Sequence, residues 1–181
     1  MNKILRSAAV FIVAQCLISN VHAGAIACDK FEVGFSPEGG AEDLVLRVIG
    51  SARTDVKILA YSFTSRTVVQ ALVAAKKRGA TVSLVADASN LTSKPGTAAM
   101  STLTNAGAAV RTIGTYKIMH DKVVIVDGKT IEFGSFNYSQ AAAMSNSENA
   151  NACWNSPEVA RTYLQHWQSR WNQGSDFHTR Y

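Results

Sequence analysis

The sequence predicts one α/β domain, a mixed β-sheet flanked by helices, and three observations predict it. Between residues 31 and 112, strand-like runs alternate with segments of helical spacing. A continuous apolar run then turns back at Asp127-Gly128, which makes an antiparallel hairpin and hence a mixed sheet. No Pro-rich, repetitive or long polar tract interrupts residues 24–181, a span that suits one domain.

Phe31–Phe35 alternates and reads as a strand. Ser36-Pro37-Glu38 reads as a helix entry, after which Leu44, Val45, Val48 and Ile49 recur at helical spacing up to Gly50. Val56–Tyr61 is a strand. Thr64 or Ser65 caps the next helix, which buries Val68, Val69, Leu72 and Val73 and stops at Gly79. Lys76-Lys77-Arg78 suits the negative end of that helix's dipole and reads as a solvated helix end. Val82–Ala86 is a buried strand, Asp87–Gly96 a polar loop with a Pro-Gly break, Thr97–Asn105 a helix and Ala109–Thr112 a strand. Val123–Val126 and Thr130–Phe133 form the hairpin. Val159, Tyr163, Trp167 and Trp171 share one face of a final helix, an aromatic stripe that reads as core packing, with a subunit contact as the alternative.

The N-terminus has the pattern of a secretory leader. Lys3 and Arg6 precede an apolar run from Ala8 to about Ile18, and Val21-His22-Ala23 offers small residues for cleavage. We expect residues 1–23 to be a signal peptide, residues 24–181 to be the mature domain, and the protein to be periplasmic or secreted. An uncleaved anchor is the alternative. The formal net charge of +5 loses two cations with the leader, so the remaining excess is mild. It is compatible with an anionic substrate without requiring one. Cys28 and Cys153 remain. In an oxidising compartment they are candidates for a disulfide between the N-terminal segment and a late strand, with two free thiols as the other reading.

The chemistry concentrates around His120-Asp121-Lys122. Side chains two apart on a strand share a face, so His120 and Lys122 can stand together at a sheet edge. An imidazole can attack phosphorus or move a proton near neutral pH, and an ammonium offsets charge on phosphate oxygens. Gly134-Ser135 and Asn137 add a tight bend, a hydroxyl and an amide suited to non-bridging oxygens. Glu148 is a carboxylate that could hold the proton of the far imidazole nitrogen and fix the tautomer. No set of carboxylates or histidines has metal-ligand spacing.

The order His120-x-Lys122, four residues, Asp127, six residues, Gly134-Ser135-x-Asn137 resembles the signature of the phospholipase D superfamily without departure. The length, the leader and the Tyr61-Ser62-Phe63 strand end are similar to the small bacterial endonucleases of that superfamily, over roughly Phe31 to Trp171. The resemblance implies a catalytic set of His120, Lys122, Asp127 and Glu148. In it His120 is the nucleophile, passing through a phosphohistidine, and Glu148 orients it. Lys122, Ser135 and Asn137 bind the phosphate. Asp127 belongs to the signature but more often supports the site than touches phosphate. No metal and no other cofactor is implied.

Larger members carry the signature twice and use two histidines. This chain carries it once, and His166 and His178, without a lysine at strand spacing, read as ordinary surface or helix-packing residues. The resemblance therefore implies a homodimer whose two His120 side chains meet across one shared site. The expected partner is nucleic acid, DNA and perhaps RNA, held by phosphate contacts. Lys57, Arg66, Lys94 and Lys117 are candidates to line a groove, with Phe63 or Tyr116 to stack on a base. The alternative is a lipid phosphodiesterase or transphosphatidylase. Against it, no amphipathic membrane-facing segment is evident, and stable membrane association after leader removal is not expected.

Overall fold

The computed structural model describes residues 27–179, so the expected leader lies outside the described residues. Eight strands form one sheet: β1 (Lys30–Ser36), β2 (Asp55–Ala60), β3 (Thr81–Asp87), β4 (Ala109–Ile113), β5 (Lys122–Val126), β6 (Thr130–Gly134), β7 (Glu148–Trp154) and β8 (Ser175–Asp176). Five helices accompany them: α1 (Gly40–Gly50), α2 (Arg66–Lys77), α3 (Lys94–Asn105), α4 (Gln140–Met144) and α5 (Pro157–Gln173). The strand order is β1-β7-β6-β5-β2-β3-β4-β8. Only β2-β3 and β3-β4 are parallel pairs, joined through α2 and α3, so the expected mixed sheet is present.

Alternation along the strands divides the core. Val56, Ile58 and Ala60 of β2 and Val124 and Val126 of β5 pack with α1, α2 and α3. Leu59, Val123, Ile125 and Ile131 face the other way, against Ala160 and Trp167 of α5. Trp167 is buried, and its indole donates to the Ile58 carbonyl at 3.1 Å. The aromatic stripe is thus core packing, the first of the two readings. Among the described residues no helix is long and apolar enough to cross a membrane.

Two local expectations are corrected. The helix expected to enter at Ser36-Pro37-Glu38 begins at Gly40, because Ser36 remains paired with Glu148 at the end of β1. The first turn of α1 lies directly on β1: a Cβ on Gly34 would stand 2.2 Å from the Gly40 carbonyl oxygen. The Pro-Gly pair read as loop lies inside α3, which starts at Lys94 with Ser93 as its cap. Proline fits a helix's first turn, where its missing N–H costs nothing. The disulfide is present as the first of its two readings: Cys153 lies on β7, an interior strand between β1 and β6, and is bonded to Cys28 with a Cα–Cα separation of 5.2 Å.

Candidate active site

Antiparallel pairing brings the signature residues other than Asp127 to one end of the sheet. Ala60 at the end of β2 pairs with Lys122 at the start of β5. Gly134 at the end of β6 pairs with Ala150 of β7, two residues after Glu148, and Glu148 pairs with Ser36 at the end of β1. His120, Lys122, Ser135, Asn137 and Glu148 therefore gather at the carboxyl end of β2 and β3, where open α/β sheets place their ligands.

The segment carrying His120 is held residue by residue. The Met119 N–H donates to Asp87 Oδ2 at 2.7 Å, and the Tyr61 N–H donates to the Asp121 carbonyl at 2.9 Å. Lys122 Nζ donates to the His120 carbonyl at 2.9 Å. His166 of α5, expected to be an ordinary residue, lies 3.1 Å from Asp121 Oδ2 and so anchors the residue between His120 and Lys122. The His120 side chain is exposed and packs on the Tyr61 ring, centroids 4.7 Å apart. Lys122 is only 5 % exposed. Burial pulls its ammonium below the ordinary lysine value, against the opposing pull of Glu148 and Asp121. One of its three donors goes to the His120 carbonyl, which leaves others for an anion.

Ser135 and Asn137 flank a backbone crossing. A Cβ on Gly134 would stand 2.3 Å from the Asn149 carbonyl oxygen, so the glycine of the signature is what lets β6 meet β7 here. Ser135 Oγ accepts from the Asn149 N–H at 3.0 Å, leaving its own O–H to donate elsewhere. Asn137 Oδ1 is buried and has no hydrogen-bond partner among the described residues. A buried acceptor left without a partner costs about 1–3 kcal/mol. Glu148 Oε1 accepts from Asn146 Nδ2 at 2.9 Å, and among the described residues no hydrogen bond joins Glu148 to the His120 ring.

Beneath this surface is a layer the sequence did not reveal. Tyr138 donates its phenol O–H to Glu132 Oε2 at 2.9 Å, both side chains being fully buried. Burial pushes the Glu132 carboxyl up to about 8 although the Tyr138 hydrogen bond lowers it, so it is largely protonated at neutral pH. The Tyr138 carbonyl accepts from the Thr64 and Ser65 N–H groups, both at 2.8 Å, tying the signature loop to the start of α2. Asn90 holds the facing loop: its Nδ2 donates to the carbonyls of Tyr61 at 2.7 Å and Asp87 at 2.9 Å, and its Oδ1 accepts from the Phe63 N–H at 3.0 Å.

Several expected residues stand elsewhere. Asp127 lies beyond the far end of β5, five residues from Lys122, roughly 16 Å along an extended strand. Its carboxylate accepts from the backbone N–H groups of Arg53, Thr54 and Asp55 and from the Thr54 hydroxyl. Burial alone would raise its pKa, but these bonds outweigh burial and hold it below the usual carboxylate range. It is a clasp between strands, placed away from the end that carries His120 and Lys122. Lys57 points to the α5 side, paired with Asp55 and over the Trp167 ring. Phe63 is fully buried and cannot stack on a base. Tyr116 is exposed, but the Arg170 guanidinium lies over one face of its ring, 4.7 Å from the centroid. Arg66 lines a cavity of about 550 Å³ with Thr64, Ser65 and Gln140, and it lines a neighbouring one with Lys94, while Lys117 is exposed just before His120. Among the described residues no group of three or more His, Cys, Asp or Glu is placed to hold a metal ion.

With the site in place, the comparisons with known proteins are direct. The sequence profile of the family described as cardiolipin synthase, PLD-like domain, matches residues 45–171. This chain belongs to the phospholipase D superfamily. Its fold is similar to the crystal structure of Nuc, a phospholipase D family member from Salmonella typhimurium, at 50% identity and a TM-score of 0.81, covering 82% of this chain and 97% of that one. It is also similar to NucT from Helicobacter pylori, at 26% identity and a TM-score of 0.71, covering 82% and 100%. A phospholipase D from Rickettsia bellii is 32% identical over 156 residues, 84% of this chain and 75% of the relative. As a member of the superfamily, this phospholipase D-like chain is a phosphodiester hydrolase.

Proposed function

We propose that this phospholipase D-like protein is a metal-independent, nonspecific endonuclease of DNA, with RNA as the second candidate substrate, acting through a phosphohistidine on His120. The observation that carries the reading is an exposed imidazole fixed beside a buried ammonium, at the same sheet end as the Ser135 hydroxyl and the Asn137 amide. In the first step an imidazole nitrogen attacks phosphorus and the leaving oxygen departs with a proton. In the second, water cleaves the phosphorus–nitrogen bond. Lys122 and the Ser135 hydroxyl offset charge on the non-bridging oxygens as it builds. Glu148, half-buried near Lys122, supplies the carboxylate that steadies the imidazolium. The 50% identity to Nuc supports nucleic acid over lipid.

The proton for the leaving oxygen comes from the other subunit's His120, so the working unit is a homodimer with one shared site, exported by the leader at residues 1–23. Mixing His120→Asn chains with wild type tests the sharing. Heterodimers should be nearly inactive, and full activity per heterodimer would contradict a shared site. The names of the Rickettsia relatives favour a second reading, phospholipase D-type hydrolysis or transfer on a lipid headgroup. A digest of plasmid DNA beside headgroup release from phospholipid vesicles, both with chelator, separates the two. DNA cleavage supports the nuclease, and headgroup release alone replaces it with the lipid enzyme.

A further inference from the structure

We propose that Tyr61 is the positioning residue of the nucleophile, its ring serving as the platform that fixes the His120 imidazole and the Lys122 ammonium relative to one another. The inference rests on the reading of His120 as nucleophile. The Tyr61 and His120 rings are 4.7 Å apart between centroids and inclined at 55°, within the favoured range for aromatic pairs. Lys122 Nζ lies 5.2 Å from the same ring centroid, close enough for the ring's negative face to attract it. Lys122 Nζ also bonds the His120 carbonyl, so the three residues form a closed triangle.

The platform is itself fixed. The Tyr61 N–H donates to the Asp121 carbonyl, and the Tyr61 carbonyl accepts from buried Asn90. An exposed imidazole with no hydrogen bond to its ring nitrogens among the described residues would otherwise sample several rotamers. Attack on phosphorus needs one of them, and a misplacement of about 1 Å can cost on the order of 100-fold in rate. The ring face does this work, and no hydrogen bond from the phenol hydroxyl is recorded among the described residues. Phenylalanine should therefore serve where leucine does not.

The test combines NMR of the histidine ring protons with single-turnover kinetics in wild type, Tyr61→Phe and Tyr61→Leu. Tyr61's ring current should displace the His120 signals upfield in wild type and in the Phe variant, and the displacement should vanish in the Leu variant. In Tyr61→Leu, kcat should fall roughly 10- to 100-fold. KM should stay within about threefold, since the bond from Lys122 Nζ to the His120 carbonyl does not involve the ring and keeps the ammonium in the site. Tyr61→Phe should restore kcat. A Leu variant forming phosphohistidine as fast as wild type, or a Phe variant as slow as Leu, overturns the proposal. So do undisplaced His120 signals in wild type, a readout that stands even where the Leu variant does not fold. Absence of the phosphohistidine from wild type itself would overturn the nucleophile reading, and this proposal with it.

Discussion

Replacing Asp127 should cost stability and leave chemistry intact, although the residue belongs to the family signature. Its carboxylate gathers three backbone N–H groups and the Thr54 hydroxyl at 2.8–3.0 Å. Hydrogen bonds to a charged acceptor contribute about 1.5–3 kcal/mol each when buried, and these lie at a partly exposed rim where water replaces much of the loss. The backbone adds a second term: Asp127 has φ of 52°, a conformation that Asp and Asn tolerate and Ala does not. We therefore expect Asp127→Ala to cost about 3–4 kcal/mol, and Asp127→Asn, which keeps one acceptor and the backbone preference, about 1–2 kcal/mol. Urea unfolding followed by tryptophan fluorescence measures both. kcat per folded molecule should stay within about twofold of wild type, since an interaction absent from the transition state does not change kcat. The pH dependence follows from the depressed carboxyl. Its stabilisation is complete above the unfolded value of about 3.9 and is lost as pH falls through the folded value, so wild type and variants should converge only in acid. A kcat loss of 100-fold with unchanged unfolding would refute the placement of Asp127 as a structural clasp.

Three further outcomes are expected. Glu132 has its carboxyl raised from 4.5 to about 8, so it favours the folded state most below pH 4.5 and loses about 1.4 kcal/mol of that per pH unit up to about 8. Glu132→Gln should remove the slope, and parallel stability curves for the two proteins between pH 5 and 8 would count against a buried neutral carboxyl. Cys28→Ser with Cys153→Ser opens a bridge spanning 125 residues and should cost about 2–5 kcal/mol in thermal or urea unfolding, with kcat unchanged. Lys122, its ammonium destabilised by burial, should lose charge at lower pH than an exposed lysine. KM for a phosphodiester should therefore rise on the alkaline side in wild type, and a Lys122→Arg variant should lack that rise.

The elements with strong periodicity were legible in the sequence: the helix carrying Leu44, Val45, Val48 and Ile49, the strand at Val82–Ala86 and the hairpin around Asp127-Gly128. β7 was not drawn as a full strand, because Glu148, Asn149 and Asn151 interrupt its apolar pattern while pairing with β1 and β6. The candidate site was legible where a short spacing marks it, as for His120 and Lys122, although β5 begins only at Lys122 and His120 lies just before it, so the two do not share a strand face. It was not legible where distant loops converge. Tyr61, Asn90, Asp87 and His166 each steady the His120 segment from a different element; only Tyr61, in the strand end that resembles the family, has a local sequence signal, and that signal does not give its contact with His120. Asp127 misleads for the opposite reason. Its fixed spacing from Lys122 is the length of β5, so the same regularity that joins it to the signature carries it to the other end of the sheet.

His120 is proposed to become covalently joined, through phosphorus, to one fragment of the DNA it cleaves. Wild-type protein mixed with a single-turnover amount of DNA in excess chelator, quenched within the first turnover and read by intact mass and peptide mapping, tests it most directly. The expected result is an acid-labile adduct in which His120 is joined through phosphorus to one of the two DNA fragments, absent from His120→Asn. Cleavage that proceeds with no adduct, that survives in His120→Asn, or that stops when metal is chelated would contradict it.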